Sequence, residues 1–117
     1  MSESVLRNKS KEFGKKIVFL CRDMKQKKME SVLINQLLRS GTSVGANVHE
    51  AQYAQSTKDF ISKFEIALKE CNESEYWIEL LYETGCMSQE DFNALQSDCI
   101  AIRRMLVSSV KTIKNKE

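Results

Sequence analysis

Leu38-Arg39-Ser40-Gly41-Thr42-Ser43-Val44-Gly45-Ala46-Asn47-Val48-His49-Glu50-Ala51 is the stretch on which the fold turns. By composition it resembles a loop, because two glycines four apart stand among Ser, Thr and Asn, all weak helix formers. By periodicity it continues a helix. Leu33, Leu37, Gly41, Val44 and Val48 recur at spacings of three and four and form one stripe, with Leu38 and Gly45 on its flank. A glycine loop that cradles phosphate follows a strand and opens a helix, whereas these glycines fall in mid-helix. The segment is therefore read as the second half of a helix running from about Glu30 to Tyr53. Small residues four apart let a neighbouring backbone come close, so a tight helix contact offsets the lost propensity. Roughly opposite the inner stripe lie Gln36, Arg39, Ser43, Asn47 and Glu50. There, Arg39 is placed to pair with a carboxylate of a neighbouring helix or subunit.

The chain on either side reads as three more helices. The first runs from about Glu3 to Lys28, with Leu6, Phe13, Ile17, Leu20, Cys21 and Met24 on one stripe. Arg7, Lys11, Lys15, Arg22 and Lys25 lie roughly opposite. No Gly or Pro marks its end near Met29, and the break is inferred from length, since an uninterrupted helix would exceed the usual range several-fold. The third helix opens at Ser56 with Asp59 three residues on, a variant of the capping box. Its inner stripe is Phe60, Phe64, Ala67, Leu68, Cys71, Ile78 and Tyr82, and Gly85 caps its end. The fourth opens at Ser88 with Asp91, and Phe92, Leu95, Cys99, Ile102, Leu106, Ser109 and Ile113 form a bundle-type seam. Lys111 to Lys116 make a basic, fraying terminus.

Long helices joined by short turns pack antiparallel, which predicts an all-α, up-down-up-down four-helix bundle as a single domain over residues 1–117. The absence of proline and the presence of only 4 glycines argue against an all-β domain. No apolar run approaches the roughly 20 residues needed to span a bilayer. The start, Met1-Ser2-Glu3-Ser4-Val5, lacks a signal-peptide pattern, so a cytoplasmic protein is expected, with no membrane partner. Cys21, Cys71 and Cys99 fall on apolar stripes and Cys86 at a turn. With no C-x-x-C pair and one histidine, no metal or other cofactor is expected.

The formal charge of +2 conceals segregation: residues 1–39 carry a net +6, residues 40–99 a net −8 and residues 100–117 a net +4. The simplest consequence is basic helices packed beside an acidic one. The sharper one is an anion-binding face. Helix three also carries apolar residues off its seam, Ile66, Trp77 and Leu80, and helix four Ile100 and Val107. Exposed apolar surface with an aromatic anchor is typical of subunit interfaces, and Trp77 would otherwise cap the monomer core at the helix boundary.

Arg39 through Ala51 resembles the helix-two signature of the bacterial four-helix-bundle proteins encoded in intervening sequences of 23S ribosomal RNA genes. Lys58 through Leu81 resembles their helix three. The matching positions are Arg39, Ser40, Gly41, Ser43, Gly45, Asn47, Glu50, Lys69, Glu70, Glu73, Glu75 and Trp77. The resemblance implies a ring-shaped homopentamer without enzymatic activity. It also implies kinship with retroelement accessory proteins that bind nucleic acid and a reverse transcriptase through basic surfaces.

From the residues, the leading functional expectation is a non-enzymatic oligomer that binds RNA or DNA. Its contacts would be Arg7, Lys11, Lys15, Arg22 and Lys25 on helix one and Arg103, Arg104 and Lys111 on helix four. No zinc finger or aromatic stacking platform is evident in the spacing. The alternative is a structural or protein-binding scaffold that holds no nucleic acid. Histidine phosphotransfer at His49 is disfavoured, because Glu50 beside it would repel phosphate. No nucleophile–histidine–acid set and no Glu-x-x-His pair is present for catalysis.

Overall fold

In a computed structural model describing residues 2–116, the chain folds into four helices. They are α1 (Ser2–Gln26), α2 (Ser31–Ala51), α3 (Thr57–Glu83) and α4 (Gln89–Lys116). Each packs against its neighbours in the chain, and α4 closes back onto α1, while among the described residues the diagonal pairs make no close backbone approach. This is the antiparallel up-down-up-down bundle, drawn out to about 49 Å by 22 Å by 19 Å.

Local chemistry sets the three turns. Ser56 Oγ accepts the Asp59 amide at 3.0 Å, and Asp59 Oδ2 accepts the Gln55 amide at 3.1 Å. Ser88 Oγ accepts the Asp91 amide in the same way at 3.1 Å. Both satisfy donors that a helix start leaves without partners. At the end of α3, Gly85 takes φ +85, and the Cys86 and Gly85 amides donate back to Leu81 and Tyr82. That is a Schellman cap. The end of α1 has the same hydrogen bonds, Met29 to Met24 and Lys28 to Lys25, but a lysine with φ 59 occupies the left-handed position. The break near Met29 is thus real, and it left no mark in the sequence because the usual glycine is missing.

The core runs the length of the bundle. Leu6, Phe13, Ile17, Cys21 and Met24 of α1 meet Ile34, Leu37, Val44 and Val48 of α2. Phe64, Ala67, Cys71 and Ile78 of α3 and Leu95, Cys99, Ile102 and Leu106 of α4 complete it. Several side chains differ from the expected stripes. Ile34 and Leu81 are fully buried, whereas Leu33 and Tyr82, which the helical spacing places on the inner stripes, are only half-buried. Phe60, Leu68 and Phe92 are only half-buried. Three serines, Ser10, Ser40 and Ser74, also lie inside.

The glycine-rich half of α2 is helical throughout. A Cβ on Gly41 would stand 2.9 Å from Ile17 Cγ1, and one on Gly45 would stand 3.2 Å from the backbone oxygen of Ser10. The two glycines therefore let α1 settle directly onto α2, the close backbone approach their spacing predicts.

Candidate functional site

Three of the four helix seams are tied by charge. Between α2 and α3, the Arg39 guanidinium donates to Glu70 at 3.1 Å and to Glu73, whose carboxylate also accepts the Trp77 indole N–H at 3.1 Å. The Trp77 hydrogen bond and the Arg39 contact hold the Glu73 carboxyl below the usual carboxylate range. Glu50 meets Lys63 at 3.0 Å further along. Beneath this layer the buried hydroxyls of Ser40 and Ser74 lie 2.9 Å apart.

Between α3 and α4, Arg103 pairs with Glu75 at 2.9 Å and Lys114 with Glu65 at 3.2 Å. The Cys71 thiol rests 3.5 Å from the Cys99 carbonyl within the core. The neighbouring Cys71 and burial together push the Cys99 thiol up. Between α1 and α4, Asp98 receives Lys16 at 2.9 Å and Lys9 at 3.8 Å.

The α1–α2 seam differs. Among the described residues no ion pair crosses it, and a groove of about 590 Å³ opens along it instead. Arg7, Lys11, Lys15 and Arg22 line the α1 side, and Thr42, Ala46 and His49 the α2 side. Gly14 and Gly45 leave the groove free of side chains where they border it. Lys15 contacts Glu12 on its own helix at 3.1 Å. Among residues 4–116, Arg7, Lys11 and Arg22 have no carboxylate within 4.0 Å.

The eight basic residues singled out in the sequence therefore separate. Four share the groove, whereas Lys25 is exposed beyond it. Arg103 is bound to Glu75 and belongs to the scaffold, so it is withdrawn from the free basic face; the pairing raises its guanidinium pKa further. Arg104 borders a separate shallow depression on α4 with Ser108 and Thr112, and Lys111 is exposed on the same helix.

The signature positions of α2 and α3 mostly serve packing inside the chain. Arg39, Ser40, Gly41, Gly45, Glu50, Glu75 and Trp77 engage other helices or their own helix as described above. Ser43 donates to the Arg39 carbonyl at 2.7 Å and Asn47 to the Ser43 carbonyl at 2.8 Å. Trp77 is half-buried against the core, whereas Ile66 and Val107 are exposed.

Exposed aromatic rings stand on α1 and just after the end of α2. Phe19 lines the groove and is 62% exposed, with the Arg22 guanidinium 5.6 Å from its ring centroid. The ring of His49 on α2 lies 5.7 Å from that of Tyr53 in the turn that follows, and Tyr53 is 73% exposed. The signal was present in the sequence, because Phe19 falls off the apolar stripe of α1 and three residues before an arginine.

Among the described residues, no cluster of three or more His, Cys, Asp or Glu side chains is placed to hold a metal ion. No helix there is long and apolar enough to cross a membrane.

A family model described as 23S rRNA-intervening sequence protein matches residues 2–108. A crystal structure of a protein of unknown function from the S23 ribosomal protein family of Bacteroides thetaiotaomicron is also similar. It is 45% identical, the match covers 95% of this chain and 99% of that one, and the TM-score is 0.92. No curated protein matches the chain.

Proposed function

From the premise that the chain belongs to the 23S rRNA-intervening sequence protein family, we propose that it is a non-enzymatic, cytoplasmic homo-oligomer that binds nucleic acid through the α1–α2 groove. One observation carries the reading. Interhelical ion pairs tie three seams of the bundle, and the fourth presents Arg7, Lys11, Lys15 and Arg22 to an open groove. Cations that face a groove and have no carboxylate opposite them across the seam are suited to an external polyanion, and a phosphate backbone is the commonest one. Phosphate contacts of this kind position a strand without reading its sequence.

Self-association rests on different surfaces. Ile66 and Tyr76 on α3 and Val107 on α4 are exposed apolar side chains away from the groove. Closed symmetric assembly would cover them and repeat the groove around a ring. The family resemblance sets five as the expected copy number. Repetition multiplies a weak site, since each further groove engages a strand already held.

Light scattering with absorbance at 260 and 280 nm tests both parts together. The expected result is a single species of several 13.5 kDa chains that retains an added oligonucleotide at low salt. The double variant Lys11→Glu/Arg22→Glu should keep the assembly and lose the oligonucleotide. A monomeric peak would overturn the assembly, and undiminished binding by the double variant would overturn the groove. A scaffold that binds only protein would retain no oligonucleotide at any salt concentration.

A further inference from the structure

We propose that the groove takes single-stranded nucleic acid in preference to a duplex, with unstacked bases seated on Phe19 at one end and on His49 at the other. This rests on the reading of the groove as a phosphate site and adds which form of nucleic acid enters it.

The register of α1 against α2 places the rings. Gly45 abuts Ser10 and Gly41 abuts Ile17, so the helices run antiparallel with His49 near the level of Arg7 and Phe19 well up the groove. Twelve residues of helix separate Arg7 from Phe19, a rise of about 18 Å. Aromatic surface thus brackets the groove, and Lys11 and Lys15 lie between its two ends.

The rings have the character of binding surfaces. Phe19 is 62% exposed and Arg22 covers only part of its ring, so ring surface stays open to a stacking partner. An arginine beside an aromatic ring offers a flat face and a charge together, the combination that receives a base and its phosphate. The bordering residues Gly14, Gly45 and Ala46 carry little or no side chain. A volume of about 590 Å³ lies within the range of clefts that enclose small flat ligands. A duplex keeps its bases paired and stacked inside, so it can offer this groove phosphates but no ring faces. A single strand can offer both, and base–aromatic stacking adds roughly 1–3 kcal/mol per base.

The test is fluorescence anisotropy on the full chain with one mixed sequence prepared as single-stranded RNA, single-stranded DNA and duplex DNA. Either single strand should bind at least tenfold more tightly than the duplex, and the tighter of the two identifies the preferred sugar. Phe19→Ala and His49→Ala should each weaken single-strand binding by about 5- to 150-fold, the fold-change equivalent of one lost stack. Duplex binding should be unchanged in both variants. Equal binding of strand and duplex, with Phe19→Ala inert, would overturn the preference and leave the phosphate site standing. No binding of any form would overturn both readings. A Phe19→Ala variant that changes the oligomer mass would make Phe19 a subunit contact and overturn this proposal alone.

Discussion

At the scale of single residues, the arrangement around Glu73 explains why several signature positions occur together. Arg39 holds Glu70 and Glu73, and Trp77 donates to Glu73, so one guanidinium, two carboxylates and an indole fix α2 to α3. The Trp77 and Arg39 contacts lower the Glu73 pKa in the folded chain. A depressed carboxylate stabilises the fold above its unfolded pKa, near 4.3 for Glu, and that contribution is lost as pH falls through the folded value. Acidification below about pH 4 should therefore loosen this seam and shift the emission of Trp77, the only tryptophan. Glu73→Gln keeps an acceptor for the indole but cannot titrate, and it should flatten that part of the pH profile. A profile identical in the two proteins would show that Glu73 does not control it. Such contacts were only partly legible beforehand. Arg39 was readable as a pairing residue, but its partners lie more than thirty positions away, and one sequence does not give that register. Ser40 and Ser74 look like surface residues by type, and only the close approach of α2 to α3 puts them inside, where their hydroxyls meet each other and the carbonyls of Leu37 and Glu70.

At the scale of elements, helix existence and order were legible because the apolar spacing is strong and two of the three turns carry capping signals. The turn between α1 and α2 was not, since Lys28 takes the left-handed position that glycine usually holds. Within α2, composition and periodicity pointed in opposite directions, and packing decides between them. The four glycines are not equivalent, and two of them make a direct comparison. A Cβ on Gly41 would press on the branched carbons of Ile17, while a Cβ on Gly14 would meet nothing within 4 Å. Overpacking costs about 1–3 kcal/mol, and replacing glycine by alanine in a helix returns roughly 1 kcal/mol. Gly41→Ala should therefore destabilise the bundle by about 1 kcal/mol, whereas Gly14→Ala should stabilise it by a similar amount. Urea midpoints measure both. A stabilising Gly41→Ala would mean that the α1–α2 contact is looser than described.

At the scale of the whole molecule, charge segregation along the chain becomes a division of labour among seams. The acidic α3 is flanked by α2 and α4, which supply Arg39, Arg103 and Lys114, and α4 offers Asp98 to the lysines of α1. The packing of basic beside acidic helices is visible in these pairs: Arg39, Arg103 and Lys114 of α2 and α4 balance carboxylates of α3, and among the described residues no such interhelical pair joins the groove cations of α1 to α2. The sequence could not show which cations pair, because helical spacing places a cation on a face and does not reveal what stands opposite. In the proposed reading, Lys11 and Arg22 meet phosphate, whereas Lys114 serves the scaffold. The most direct measurement is the salt dependence of binding to a short single-stranded oligonucleotide, plotted as log affinity against log salt. Lys11→Ala and Arg22→Ala should each reduce the slope by about 0.7, the value for one phosphate contact on a single strand, and Lys114→Ala should leave it unchanged. Slopes that do not move with Lys11 and Arg22 would contradict the account.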